Sequence, residues 1–381
     1  MQVDVLNYVG FFLFTTYIFS LVFFICGIFK IFHQSNNSDI IYNISIIVCV
    51  RNGASSLFNI LLDLQNQSYL GNLEFIIIDD ESTDQSKNII NQFLSNDKRF
   101  KYFNTSNSTS ILKHKKRALE LGIINAKYQW VLFTDVDCRV NKNWAYEMSK
   151  NFNDSDYVIG FSEVKEEKTL VSKFQSIDFR MLMISACSST FMNYPLACTG
   201  QNQSYKKDIF NKNSGYLKIS NLLQGDDSIF LQICRKNKNL KVSFCISNDS
   251  FVRAKTHHKW KNLIFQRIRW AGDANIMWRV NKGFYMLMTG FFLLHLMFTS
   301  LICISILYPY YITILVKFLT IKFILEFLLY FTGAHQLNQS LHFNEFIVWF
   351  FINTPYIILM GLGSFFAEKI SWRGRNLHLP S

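Results

Sequence analysis

The chain has 381 residues, half of them hydrophobic, with only four prolines and a formal charge of +12. That length holds one large domain plus membrane segments, and the proline count excludes a proline-rich linker. The positive balance suits either contact with anionic lipid or a polyanionic ligand such as a nucleotide; no nucleic-acid module is present, so no nucleic-acid partner is expected.

Residues 8–29 form an unbroken uncharged stretch, long enough to cross a bilayer and too long for a signal-peptide core. Asp4 stands where a signal peptide carries basic residues, and Lys30 follows the stretch. The positive-inside rule then places the N-terminus outside and the next domain in the cytoplasm. The expected layout is a transmembrane anchor at 1–35, a cytoplasmic domain with interfacial helices at 40–282, a membrane region at 283–368 and a basic tail at 369–381.

Within 40–282, short apolar runs alternate with helical patterns. Residues 44–50, 75–78 and 130–134 read as buried strands, and 55–65, 84–94 and 112–126 as helices. Such alternation predicts an α/β domain with a mainly parallel sheet and ligands at the carboxyl ends of its strands. Residues 170–191 predict a helix that is apolar around much of its circumference yet contains Lys173, Asp178 and Arg180. It either packs under the site or lies on the bilayer surface. Further on, 285–307 and 346–366 read as spans. Between them 310–331 carries Lys317, Lys322 and Glu326, the last two spaced to neutralise each other. The tail residues Lys369, Arg373 and Arg375 favour the cytoplasm, which asks for an even number of C-terminal crossings and makes 310–331 a re-entrant or interfacial candidate. Eight cysteines without a C-x-x-C pair, several inside apolar runs, predict a reducing compartment with no disulfide frame and no zinc site.

Three acidic clusters carry the chemistry. Asp79-Asp80 ends an apolar run, and Asp135-Val136-Asp137 ends another. Asp226-Asp227 follows Gly225 and precedes a helical pattern. Carboxylates at the ends of buried strands are costly unless a cation meets them. One polar site holding a metal and a phosphorylated ligand explains all three, and points to an enzyme. Asp79-Asp80 can accept from a base or ribose, although Ser82 or Asp84 there can equally cap a helix. In Asp135-Val136-Asp137, one carboxylate can reach a ribose and the other a divalent ion shared with phosphate. Asp226-Asp227 can supply a general base or simply stabilise a helix dipole. Gln266-Arg267-Ile268-Arg269-Trp270 offers a phosphate grip and a flat wall for a sugar, or an amphipathic surface resting on headgroups.

In order and spacing, these segments resemble those of the membrane-anchored family 2 glycosyltransferases over roughly residues 44–271. The resemblance implies a GT-A fold and an inverting transfer from a nucleoside diphosphate sugar, a UDP-sugar by preference, to a lipid or glycan acceptor. By position it implies that Arg51, Asp79 and Asp80 contact the nucleoside, that Asp135 helps hold nucleotide and sugar, and that Asp135 and Asp137 bind Mg²⁺ or Mn²⁺. Asp227 matches the catalytic base, with Asp226 beside it where glutamate is common. Gln266, Arg269 and Trp270 match the QxxRW motif that frames diphosphate and acceptor, and Arg267 within it is assigned to the donor. Lys115, Lys116 and Ala118 match a G-K-x-x-A-L-like segment, Lys116 being assigned to the donor. Gly200, Asn202 and Tyr205 match a G-x-N-x-x-Y-like loop near the sugar pocket. Two positions depart from the pattern: Gly53 stands where an acidic residue is frequent, and His114 where glycine precedes the lysines. The implied setting is an integral membrane protein, in the cell inner membrane, with its catalytic domain in the cytoplasm. A non-catalytic scaffold of the same fold has no need of Asp80, Asp137 and Asp227, and a transporter calls for more spans with polar residues inside them.

Overall fold

A computed structural model describes residues 2–33, 40–165, 167–222 and 224–367; the expected basic tail lies outside them. Two compact units are formed. One is built from Gln34–Lys165 and Pro195–Thr256, the other from Met1–His33, Glu166–Tyr194 and His257–Ile370. The long helix after residue 165 and the one carrying Gln266 to Trp270 group with the apolar helices, whereas the layout expected from sequence places them inside 40–282 as interfacial elements.

The first unit is a sheet domain. Its strands are β1 (Ile44–Val50), β2 (Leu73–Asp79), β3 (Phe100–Asn104), β4 (Trp130–Asp135), β5 (Tyr157–Gly160), β6 (Ser162–Val164), β7 (Gln203–Lys206), β8 (Val242–Cys245) and β9 (Val252–Ala254). Seven lie in the order β3-β2-β1-β4-β7-β5-β8, and β6 pairs with β9. Neighbours are parallel except that β7 runs antiparallel to both β4 and β5, so the sheet is mixed and mainly parallel. β2 is buried along all seven residues and β1 along all but Cys49. Runs rich in isoleucine, rather than an alternation with polar residues, are what strands covered on both faces require. The helix Ala54–Gln65 presents Leu57, Ile60, Leu61 and Leu64 inward, a single stripe at helical spacing.

The chain lays β1, β2 and β3 side by side in one direction and then returns to place β4 on the other flank of β1. A sheet whose order reverses this way opens a crevice at the carboxyl ends of the two strands that diverge. Here Val50 pairs with Asp79 on one side, while Cys49 pairs with Asp135 on the other. The first two acidic clusters therefore flank the end of β1, about 10 Å apart by two strand spacings. Because β7 is antiparallel, its first residue, Gln203, lies opposite Phe133 near the same end of β4, which brings the preceding loop at Gly200 there too.

The second unit is helical. Among the described residues, three helices are long and apolar enough to cross a membrane: Tyr8–Phe29, Lys282–Leu307 and Phe343–Ser364. The intervening segment is one unbroken helix, Tyr310–Gln336, about 40 Å long at 1.5 Å per residue. A re-entrant hairpin needs a break that this helix does not have. Lys322 and Glu326 are both buried and lie 2.7 Å apart, the neutralisation their spacing predicts, and Glu326 also accepts from the Tyr17 hydroxyl of the first helix. Among the described residues, which include all eight cysteines, there is no disulfide.

Candidate active site

The end of β1 is cross-braced to the loop after β2. Arg51 donates through Nη1 to the carbonyls of Asp80 (2.6 Å) and Glu81 (3.0 Å). Asn52 N–H donates to Ser82 Oγ, and Ala54 N–H to Asp84 Oδ2, whose other oxygen accepts from Ser86 N–H. Asp79 accepts from the Ser82 N–H, the Tyr102 hydroxyl and the Asn104 amide. Asp80 accepts from Thr105 Oγ1 (2.9 Å) and pairs with Arg117 (3.0 Å), which also reaches Glu81 (2.9 Å). Both aspartates are buried, so their charges also build the loop that a nucleoside would meet. Gly53 has a steric reason: a β-carbon there would lie 2.8 Å from Val136, leaving no room for the acidic side chain frequent at this position.

β4 ends in a tight turn closed by Cys138 N–H donating to the Asp135 carbonyl. Val136 at its tip is buried, while Asp135 and Asp137 are both partly accessible. Two carboxylates in one turn are an all-oxygen donor set of the kind hard divalent cations take, with remaining positions filled by water or phosphate. Among the described residues, no group of three or more acidic, histidine or cysteine side chains is placed to hold a metal by itself.

The third acidic pair joins this turn through Lys115. Its Nζ lies 2.9 Å from Asp135 Oδ1 and 3.2 Å from Asp226 Oδ2. Burial alone would lower the lysine's pKa, but Asp135 and then Asp226 outweigh it and hold the ammonium well above its ordinary value. Asp227 sits beside them at the N-cap of the helix Ser228–Cys234. It accepts from Ser228 N–H through Oδ1 (2.6 Å) and from Gly200 N–H through Oδ2 (3.2 Å). Removal from solvent, and next the Asp226 charge, push the Asp227 carboxyl up to about 6, against the pull of Lys115 and the two N–H groups. A carboxylate at that value is poised for proton transfer near neutrality. Gly200 makes the convergence possible, because a β-carbon there would lie 3.2 Å from Lys115 Nζ and 3.3 Å from Asp226 Oδ2. Gly225, with φ +99°, supplies the left-handed turn that delivers the pair.

The two lysines part ways. Lys116, expected at the donor, is buried with its ammonium on the carbonyls of Ile219, Leu222 and Gln224, bracing the loop before Gly225. Lys115 is the one that meets the carboxylates. His114 has φ +56°, a conformation that glycine adopts without strain, which accounts for the glycine common at this position. Asn202 and Tyr205, expected to touch substrate, are instead fully buried. The Asn202 amide donates to the carbonyls of Phe161 and Ser250 and accepts from Trp144 Nε1, and the Tyr205 hydroxyl bonds that of Tyr216. They hold the strand that carries Gly200.

In the helical unit, Gln266, Arg269 and Trp270 share the helix Trp260–Val280 and are partly exposed. Arg267, expected on the donor, is buried instead: it lies 3.0 Å from Asp178 and its guanidinium stacks 4.2 Å over the Trp270 ring. Neither Arg117 nor the Lys115 ion pairs had a local sequence signal. Arg117 meets an acid 37 positions away, and no spacing rule reaches that far.

Residues 45–213 match the family Glycosyl transferase family 2. An uncharacterized glycosyltransferase of Haemophilus influenzae is 39% identical over 94 residues, 25% of this chain and 36% of the relative. Glycosyltransferase GlyG of Streptococcus pneumoniae is 29% identical over 119 residues, 31% of this chain and 38% of the relative. The match thus spans little more than a third of the length of either. Among solved structures, the mannosyltransferase PcManGT from Pyrobaculum calidifontis, in complex with GDP-Man and Mn²⁺, aligns with a TM-score of 0.58 at 13% identity, over 94% of this chain and 99% of that one. That likeness is one of fold. Residues 45–213 are thus similar to the family 2 glycosyltransferases, the sheet unit that holds them has a GT-A fold, and among the described residues three helices are able to cross a membrane.

Proposed function

We propose that the protein is a membrane-bound inverting glycosyltransferase that moves a sugar from a nucleoside diphosphate sugar, preferentially a UDP-sugar, to a lipid or glycan acceptor, with its catalytic domain on the cytoplasmic side of the inner membrane. The observation that carries the reading is the meeting of Asp135, Asp226 and Asp227 around one lysine at the carboxyl ends of the strands. Inversion is a single in-line displacement at the anomeric carbon. It needs a base on one face and stabilisation of the leaving diphosphate on the other. Asp227 is the base: fixed by two backbone N–H groups, it takes the proton of the attacking hydroxyl, a contribution of about 10²–10⁴ in rate. Asp226 stands beside it for the acceptor. Asp135 and Asp137 would hold Mg²⁺ or Mn²⁺, which when bound neutralises charge on the leaving diphosphate. Arg51, Asp79 and Asp80 shape the nucleoside loop. Gln266, Arg269 and Trp270 have the part their motif carries in the family, gripping diphosphate and bordering the acceptor; a fixed cationic donor is worth on the order of 10²–10³.

The test is thermal-shift screening of the purified full chain against nucleotide sugars with and without Mn²⁺, followed by NMR of the anomeric configuration of any product. A native-state ligand at a hundredfold excess over Kd raises stability by about 2.7 kcal/mol. A retained configuration would refute inversion, and no shift with any nucleotide sugar would refute the donor class.

A further inference from the structure

We propose, resting on the glycosyltransferase reading above, that Lys115 is the resident counter-cation of the carboxylate cluster: it holds Asp135 and Asp226 when no donor is bound, excludes a divalent cation from the protein alone, and yields Asp135 to that cation only when a nucleoside diphosphate arrives to take the ammonium on its phosphate oxygens. Three observations carry this. First, Lys115 Nζ sits between Asp135 Oδ1 and Asp226 Oδ2 at 2.9 and 3.2 Å, so one of the two carboxylates in the β4 turn is already neutralised. Second, Asp226 Oδ2 is buried and, among the described residues, receives no hydrogen bond of good geometry, while the Lys115 ammonium lies 3.2 Å away to compensate its charge. Third, the side chain has room to leave. Lys115 is a quarter exposed, and the backbone beside it is Gly200, which has no side chain to close over it. A lysine is suited to such an exchange, being a compact charge on a flexible four-carbon stem whose donors accept carboxylate or phosphate alike.

The consequence is an order of binding. With Lys115 in place, Asp135, one of the two carboxylates the β4 turn would offer a divalent cation, is held in an ion pair. With a diphosphate present, phosphate oxygens both complete the coordination of the metal and attract the lysine. Metal and nucleotide should therefore bind together, each poorly without the other.

The experiment measures free Mn²⁺ by electron paramagnetic resonance while the detergent-solubilised full chain is titrated, alone and with saturating UDP or GDP. Wild-type protein should bind Mn²⁺ at least about tenfold more tightly with the nucleotide than without it. Lys115→Met should tighten Mn²⁺ binding in the absence of nucleotide by about tenfold, since a like charge next to the metal position is gone, and should shrink the nucleotide's enhancement. Lys115→Arg, which keeps the charge, should leave binding of Mn²⁺ alone as weak as in the wild type. Equal affinity of wild type and Lys115→Met for Mn²⁺ alone would overturn the proposal, as would wild-type protein that binds Mn²⁺ as tightly without nucleotide as with it. The wild-type comparison needs no variant and can still overturn the proposal if Lys115→Met does not fold. Failure of UDP and GDP to bind under any condition sinks the donor reading itself, a result distinct from nucleotide that binds without altering Mn²⁺ affinity.

Discussion

Replacing Asp227 by asparagine should remove transfer while making the folded protein more stable at neutral pH. The carboxyl titrates at about 6 in the folded chain, above its ordinary value, because it is withdrawn from solvent beside Asp226. The folded state therefore keeps a proton that the unfolded state has lost, and stability declines as pH rises through 6. Between pH 5 and pH 8 this single group costs the wild type about 1.4 kcal/mol. Asparagine cannot ionise, so the variant escapes that loss. It has one carbonyl oxygen where the aspartate uses two, for Ser228 N–H and Gly200 N–H, and forfeits about 1 kcal/mol at every pH. The constant penalty and the pH-dependent gain separate cleanly in a thermal-unfolding series of both proteins in detergent from pH 5 to 8. The melting temperature of the variant minus that of the wild type should climb by about 3–6 °C across the interval, using about 2–4 °C per kcal/mol for a domain of 150–250 residues. A flat difference would show that Asp227 is an ordinary exposed carboxylate, and the assignment of a poised base would fall with it. Donor binding should survive the substitution, and transfer at the normal rate would equally rule the residue out as base.

Four further outcomes follow from the same geometry. The kcat/KM of the wild type should fall tenfold per pH unit below about 6, as the base becomes protonated, and level off above it; a rate–pH profile tests this. Asp137→Ala should raise the Mn²⁺ concentration needed for donor binding at least about tenfold, read by calorimetry, and an unchanged metal titration would remove that residue from the site. Gly225→Ala forces a left-handed φ of +99° on a residue whose β-carbon would lie 2.9 Å from Ile229; it should cost about 1–3 kcal/mol in denaturant melts. His114→Gly relieves the φ of +56° and should stabilise the chain by about 0.5–1 kcal/mol, measured in the same way.

What could be read beforehand tracked length and apolar continuity. β1, β2 and β4 stand out because they are buried on both faces, and so do the acids that end them. β5 to β9 are three or four residues long and leave no periodicity to count. The antiparallel insertion of β7 is set by pairing with two distant strands, yet it is what delivers Gly200 to Asp227. Lys115 and Lys116 look interchangeable in sequence. Adjacent helical residues project about 100° apart, so only the fold decides which one reaches the carboxylates. Asn202 and Tyr205 carry a motif that advertises polarity, and their polar atoms are consumed inside the domain.

The ion pair inside the helix Tyr310–Gln336 has a practical corollary for anyone trimming this protein. Glu326 leans on a hydroxyl contributed by the first helix, some three hundred positions upstream. Deleting that helix to obtain a soluble fragment would strip a proton donor from a sequestered carboxylate in the C-terminal bundle, so the two ends of the polypeptide need to be kept, or discarded, together.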